Sequence, residues 1–364
     1  MKYRMNQRTK DKISILGVGS SCISEASEKE AVQALEMAVE QGVNYFDMAA
    51  GAAGCFSYYG KALERVRKNI FYQIHFGADY ATGEYGWTTR LDTVKASLDW
   101  QLGQLKTDYI DYGFIHCLDE ESDWNAYQKE GVLAYIQRLK EQGVVKHIGL
   151  SSHTPGMVHK ALDTGLVDML MFSINPGYDY QHGELANGST SERMELYRRC
   201  EAEGVGISVM KAFSAGQLLD EKSSPFGKAL TEYQCIQYAL DMPGVLTVLP
   251  GIRGVKDMKR ILGFLDASKK EKDYSVLAAL TPQVTDGTCV YCNHCQPCPA
   301  GLNVGLINKY YDLARSGDAL AKGHYEKLQK KAEDCIGCGH CDQRCPFHVK
   351  QTFKMEQIAA YFKE

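Results

Sequence analysis

Cys289-Val-Tyr-Cys292-Asn-His-Cys295-Gln-Pro-Cys298-Pro299 and Cys335-Ile-Gly-Cys338-Gly-His-Cys341-Asp-Gln-Arg-Cys345-Pro346 are the two stretches from which the organisation of this chain follows. Cysteines at every third position let one tight loop aim three thiolates at a single iron–sulfur cube, and a fourth cysteine followed by proline serves the other cube of a pair. The spacing therefore predicts two [4Fe-4S] clusters, one held by Cys289, Cys292, Cys295 and Cys345, the other by Cys335, Cys338, Cys341 and Cys298. Zinc sites use one Cys-x2-Cys pair and a second pair at a distance, which fits runs of four cysteines poorly. A disulfide framework belongs to small secreted chains, and the polar stretch Met1 to Lys12 carries no export signal. The first array departs from the bacterial pattern in having two residues, not three, before its last cysteine.

Outside the arrays, 364 residues that are 45% hydrophobic suffice for one large domain and one small one. A formal net charge of -4 with no basic block argues against nucleic acid or an anionic membrane as partner, and no apolar run is long enough to span a bilayer. A cytoplasmic, soluble protein is expected. The remaining cysteines, Cys22, Cys55, Cys117, Cys200 and Cys235, are scattered and read as reduced structural thiols.

From Ile13 to about Leu265, short apolar runs alternate with longer segments of helical period, the pattern of βαβ units on a parallel sheet. Eight strands are predicted: Ile13 to Gly19, Val43 to Met48, Ile70 to Phe76, Tyr109 to His116, Lys146 to Ser151, Met169 to Asn175, Gly206 to Lys211 and Leu246 to Gly251. Helices such as Glu28 to Gln41, opened by Ser27 and closed by Gly42, and Leu91 to Leu105 lie between them. That count and length predict an α/β protein, a (β/α)8 TIM barrel over residues 1–267. Met1 to Lys12 would form a hairpin at the bottom of the barrel. A charged linker over 268–285 would lead to a small ferredoxin-like iron–sulfur domain over 286–364, with a helical insertion from Val304 to Lys331 and a final helix from Gln351 to Phe362.

Chemistry in such a barrel lies at the C-terminal ends of the strands. Asp47, His75, His116 and His153 fall there on consecutive strands, and four ionisable groups converging on one rim predict an acid–base site. In this reading His75 or His116, held as imidazolium by Asp47, donates the proton, and His153 assists. The same carboxylate and imidazoles are also a ligand set for a divalent metal, which leaves a metal-assisted or histidine-dependent lyase or isomerase as an alternative. The loops Ala78 to Trp87 and Gly177 to Ser191, where specificity would lie, have no diagnostic composition.

Gly42-Val-Asn-Tyr-Phe-Asp47, Gly60-Lys-Ala-Leu63, Ile148-Gly-Leu-Ser151, Ile174-Asn-Pro176 and Leu249-Pro-Gly-Ile-Arg253 resemble the aldo-keto reductase family, and the double cysteine array is similar to its branch with a ferredoxin-like domain. The resemblance implies reduction of carbonyls by NADPH through an Asp, Tyr, Lys, His tetrad. Asp47 and His116 match that tetrad, whereas Ala52 stands at the tyrosine position and His75 at the lysine position. It further implies an NADP(H) site that includes Ser151, Gly251 and Arg253, with Lys211 and Arg260 near a phosphate. Three family contacts are replaced, by Met171, Met210 and Ile261. The expectation is an iron–sulfur oxidoreductase acting on a small carbonyl or hydroxyl substrate, with a ferredoxin or flavin as electron partner for the clusters. An electron-transfer protein whose barrel no longer catalyses is the remaining alternative.

Overall fold

The computed structural model describes residues 1–182, 185–280, 287, 289–315 and 321–363. They form two compact units, Met1–Asn175 with Val205–Ala215 and Leu246–Ala267, and Pro176–Gly204 with Gly216–Val245 and Ser268–Glu364. The expected linker runs out of the described residues at 281–286, the expected insertion at 316–320, and the loop after the sixth barrel strand at 183–184.

The first unit holds a (β/α)8 barrel. Its strands are β3 (Val18–Gly19), β4 (Tyr45–Met48), β5 (Phe71–Phe76), β8 (Ile110–Ile115), β9 (Val145–Ser152), β10 (Met169–Ser173), β11 (Gly206–Met210) and β12 (Val245–Val248), parallel and in that spatial order. A parallel bridge between Leu16 and Val248 closes the sheet on itself. Parallel strands covered on both faces read as unbroken apolar runs, which is why all eight were visible in the sequence. Ser27 caps the helix Glu28–Glu40 by accepting the Glu30 N–H, and Gly42, at φ +86°, ends it. The helix Leu91–Leu105 buries Val94, Leu98 and Leu105.

The first barrel strand differs from expectation. β1 (Tyr3–Met5) pairs antiparallel with β2 (Lys12–Ser14), so the hairpin takes the first residues of the run assigned to the barrel. Ser14 and Asn44 exchange side-chain to backbone hydrogen bonds of 2.8 and 3.0 Å, which replace ladder bonds and turn the chain before β3.

Inside the barrel, side chains two apart along a strand point the same way. Tyr45 and Asp47 therefore share the interior with Phe71, Gln73 and His75 and with Tyr112, Phe114 and His116. The lower layer is aromatic, with Tyr112 5.7 Å from Tyr45 and 6.2 Å from Phe71 between ring centroids. Gly149 leaves room for Phe114, whose ring would lie 2.0 Å from a Cβ added there. The polar residues come at the upper ends of the strands.

The second unit contains the helices Thr190–Ala202, Glu232–Asp241, Val304–Arg315 and Gln351–Lys363. The buried carboxylate of Asp179 accepts from Arg193 Nε at 2.8 Å, Tyr197 Oη at 2.6 Å and Tyr238 Oη at 2.8 Å. Removing one partner of such a network leaves a buried charge uncompensated. Asp179→Ala is accordingly expected to destabilise the protein by about 3–5 kcal/mol, read as a drop in the thermal unfolding midpoint, whereas an unchanged midpoint would show that the network contributes nothing.

Candidate active site

Asp47, His75 and His116 are 3%, 1% and 5% exposed and lie in one hydrogen-bonded chain at the rim of the barrel. Asp47 Oδ1 is 2.7 Å from His75 Nε2, and His75 Nδ1 is 3.0 Å from His116 Nδ1. Gln73 Nε2 donates to the same Asp47 oxygen at 2.8 Å, and its Oε1 accepts from Tyr45 Oη at 2.6 Å and Ser208 Oγ at 3.2 Å. His116 Nε2 is 2.7 Å from the hydroxyl of Tyr85, a residue that sequence reasoning did not single out.

An ionised carboxylate only accepts, and a neutral imidazole has one donor and one acceptor nitrogen. One proton arrangement then satisfies every link. Tyr85 Oη–H donates to His116 Nε2, His116 Nδ1–H to His75 Nδ1, and His75 Nε2–H to Asp47. Burial, with the neighbouring His75 and His153 adding to it, holds the His116 pKa well below the ordinary histidine value. Desolvation therefore disfavours an imidazolium at His116. The divalent-metal arrangement is not met either. His75 uses its two nitrogens in opposite directions, so Asp47 and His116 lie on different sides of it.

Tyr85 comes from a hairpin over the third βα loop, in which β6 (Ala78–Asp79) pairs with β7 (Gly86–Trp87). Gly77 starts it at φ +115°, where a Cβ would fall 2.2 Å from the Tyr127 hydroxyl. Tyr58 and Tyr59 belong to the helix Cys55–Leu63, and the buried Tyr59 ring packs edge-on against Phe46.

His153 stands apart from the chain. Its Nδ1 is 2.9 Å from Asp119 Oδ2, and its backbone N–H donates to Asp119 Oδ1 at 2.6 Å. Burial of Asp119 is outweighed by these bonds, so its pKa lies below the usual carboxylate value. The Nε2 of His153, 8% exposed as a residue, is buried without a hydrogen-bond partner.

Of the expected nucleotide residues, Ser151 Oγ accepts the Cys117 N–H at 2.9 Å, and the exposed Lys211 gives its carbonyl to Asn175 Nδ2 at 2.9 Å. A Cβ at Gly251 would meet Cys22 Sγ at 2.9 Å. Arg253 projects into solvent 3.4 Å from Glu25. Met171 is drawn inward as an acceptor for Gln73 Nε2 at 3.1 Å, and Ile261 is buried.

In the second unit Cys298, Cys335, Cys338 and Cys341 line one pocket. Burial pushes the Cys292 and Cys295 thiols up to about 12, and nearby Cys289 and Cys345 add to the rise in both. The fourth cysteine of each array thus lies near the other array's three. The loop of the first array turns through left-handed Tyr291, at φ +59°, and Asn293, at φ +57°. Tyr291 Oη donates to Asp312 at 2.8 Å, and Gln351 Nε2 donates to Cys289 Sγ at 3.7 Å.

Residues 15–234 match the Aldo/keto reductase family and residues 287–349 the 4Fe-4S dicluster domain. The chain belongs to the aldo/keto reductase family, as an oxidoreductase of that type with a 4Fe-4S domain at its C-terminal end. It is similar to the uncharacterized oxidoreductase YqkF of Bacillus subtilis (strain 168), 24% identical over 296 residues that cover 74% of this chain and 94% of that protein. Among solved structures, the holo form of aldo-keto reductase AKR11C1 from Bacillus halodurans shares the fold with a TM-score of 0.61 at 21% identity, covering 77% of this chain and 96% of that one. A putative aldo-keto reductase from Pseudomona aeruginosa gives 0.55 at 21% identity, over 72% and 95%. No helix among the described residues is long and apolar enough to cross a membrane.

Because the depressed His116 pKa means that the unfolded chain takes up this proton first, this residue's contribution to stability is lost as pH falls below about 6.5. In an NMR titration the His116 ring should remain neutral as pH falls through 6.5, and a midpoint at or above that value would contradict the buried geometry.

Proposed function

We propose that the protein interconverts a small carbonyl compound and its alcohol, exchanging a hydride with NADP(H) at the substrate carbon and a proton at the substrate oxygen. In the reducing direction one carbonyl compound, one NADPH and one proton give one alcohol and one NADP+. Asp47, His75 and His116 are the proton path, and His153, fixed by Asp119, assists. The uninterrupted hydrogen-bonded chain from Asp47 to His116 carries this reading, because its neutral links move a proton without leaving charge on a buried ring. Ser151, Lys211, Gly251 and Arg253 would hold the dinucleotide along the rim. Chain segment 1–267 would be the catalytic barrel and 286–364 the cluster domain, working in the cytoplasm, where thiols stay reduced.

The paired thiolate sets fit two [4Fe-4S] clusters, Cys289, Cys292, Cys295 and Cys345 for one and Cys335, Cys338, Cys341 and Cys298 for the other. When bound, such clusters exchange single electrons at low potential, as a ferredoxin or flavin partner would require. Gln351, itself oriented by Asn308 Nδ2 at 2.8 Å, donates to Cys289 and so favours the reduced state of the first cluster. A second reading, in which the electrons for the substrate come through the clusters, is favoured by the replaced nucleotide contacts and by a cleft of about 870 Å³ beside Cys292. Its wall sets Lys269, Lys270, Lys272 and Arg344 against Asp241 and Asp273, a net positive face for an acidic partner.

Protein purified without oxygen is expected to contain about eight irons per chain and to reduce small aldehydes or ketones with NADPH. Turnover with reduced ferredoxin but not NADPH would transfer the case to the second reading, and no turnover with any donor would overturn both. Asp47→Asn should lower kcat by about 10²–10⁴ at intact cluster content. Gln351→Leu should lower the potential of the Cys289 cluster alone in an EPR-monitored redox titration, and an unmoved or equally moved pair would contradict its role.

A further inference from the structure

We propose that Tyr85 is the residue that exchanges a proton with the substrate oxygen, and that its hairpin restores, from the third βα loop, the phenol that Ala52 does not supply. The inference rests on the carbonyl–alcohol reading of the same site.

Exposure along the chain carries the argument first. Asp47, His75 and His116 are almost completely buried, whereas Tyr85 is 41% exposed. A substrate arriving from solvent can meet Tyr85 before the more deeply buried imidazoles behind it. That hydroxyl is 2.7 Å from His116 Nε2, within the range of a short O–H···N bond. Its pKa is raised to about 12, by burial first and by Cys117 next, so the phenol keeps its proton until a partner takes it.

The position of the hairpin is the second observation. Ala52 forms an antiparallel bridge with Glu84, the residue before Tyr85. On either side, Ala53 N–H donates to Gly83 O at 2.9 Å and Tyr85 N–H to Gly51 O at 3.0 Å. The hairpin is therefore zipped along the segment where the family's tyrosine position falls, and the small Ala52 allows it to lie there. The ring of Tyr85 is set by edge contacts with His116, at 5.6 Å, and Tyr80, at 6.3 Å. Trp87, two residues on and so on the same face of the strand, is 44% exposed and donates from Nε1 to the His116 carbonyl at 3.4 Å. It offers an apolar wall beside the hydroxyl, suited to a substrate with a flat or apolar body.

In alcohol oxidation the substrate O–H proton passes to Tyr85 as the tyrosine's own proton moves to His116 Nε2. The Nδ1 proton of His116 moves to His75 Nδ1, and the Nε2 proton of His75 moves to Asp47, which ends as the neutral acid. NADP+, if held by Ser151, Lys211, Gly251 and Arg253, would supply the acceptor for the hydride of the substrate carbon. Reduction runs the same transfers from protonated Asp47, so atoms and charge balance in both directions.

The test is Tyr85→Phe, which keeps the ring and removes the hydroxyl, beside Trp87→Phe as a control for the hairpin. A kcat for the carbonyl substrate lowered by about 10²–10⁴ at nearly constant KM, with iron content and unfolding midpoint as in wild type, is the expected result. The solvent-deuterium isotope effect on kcat should change with it, while Trp87→Phe should act mainly on KM. A Tyr85→Phe variant within about threefold of wild type, or altered in KM alone, would overturn the proposal and leave the carbonyl–alcohol reading standing. A wild type inactive with every donor would sink both.

Discussion

A carboxylate in the interior of a barrel must be surrounded by donors or it will not remain ionised. Asp47 meets that condition through Gln73 Nε2 and His75 Nε2, and the two bonds determine what the rest of the rim can do. Because the carboxylate only accepts, His75 must carry its proton on Nε2, which leaves Nδ1 as an acceptor. His116 must then donate from Nδ1 and accept at Nε2. The same logic fixes Gln73, whose amide oxygen is occupied by Tyr45 and Ser208 and whose nitrogen therefore faces Asp47. The direction of a whole proton path follows from one buried charge.

The lower barrel supports this arrangement. Aromatic rings from β4, β5 and β8 fill its interior up to the level of Gln73, and Gly149 makes space for Phe114 beneath the histidines. Dense packing around the links raises the cost of any ring flip and keeps water out, so the hydrogen bonds act at low dielectric.

Much of this was legible in the sequence. Apolar runs located the eight strands, and the position of chemistry at strand ends drew attention to Asp47, His75 and His116. Their protonation was not legible, because the depressed His116 pKa comes from burial and then from His75 and His153, which the fold brings beside it. Nor was Tyr85: its loop has no periodicity, and its position depends on backbone pairing with Ala52, which leaves no mark in composition. The first barrel strand was overdrawn because Ser14 and Asn44 trade side-chain bonds that an apolar run does not reveal. For the second unit, spacing alone predicted an exchange of fourth cysteines between the arrays. The donor to Cys289 was hidden, since Gln351 arrives from the last helix.

The central claim is that protons in the Asp47–Tyr85 chain all point toward the carboxylate. Nitrogen-15 NMR of the histidine side chains in the oxidised protein reads it directly. His116 should appear as the neutral Nδ1–H tautomer and His75 as the neutral Nε2–H tautomer. The same tautomer in both rings, or a doubly protonated ring in either at neutral pH, would contradict the account.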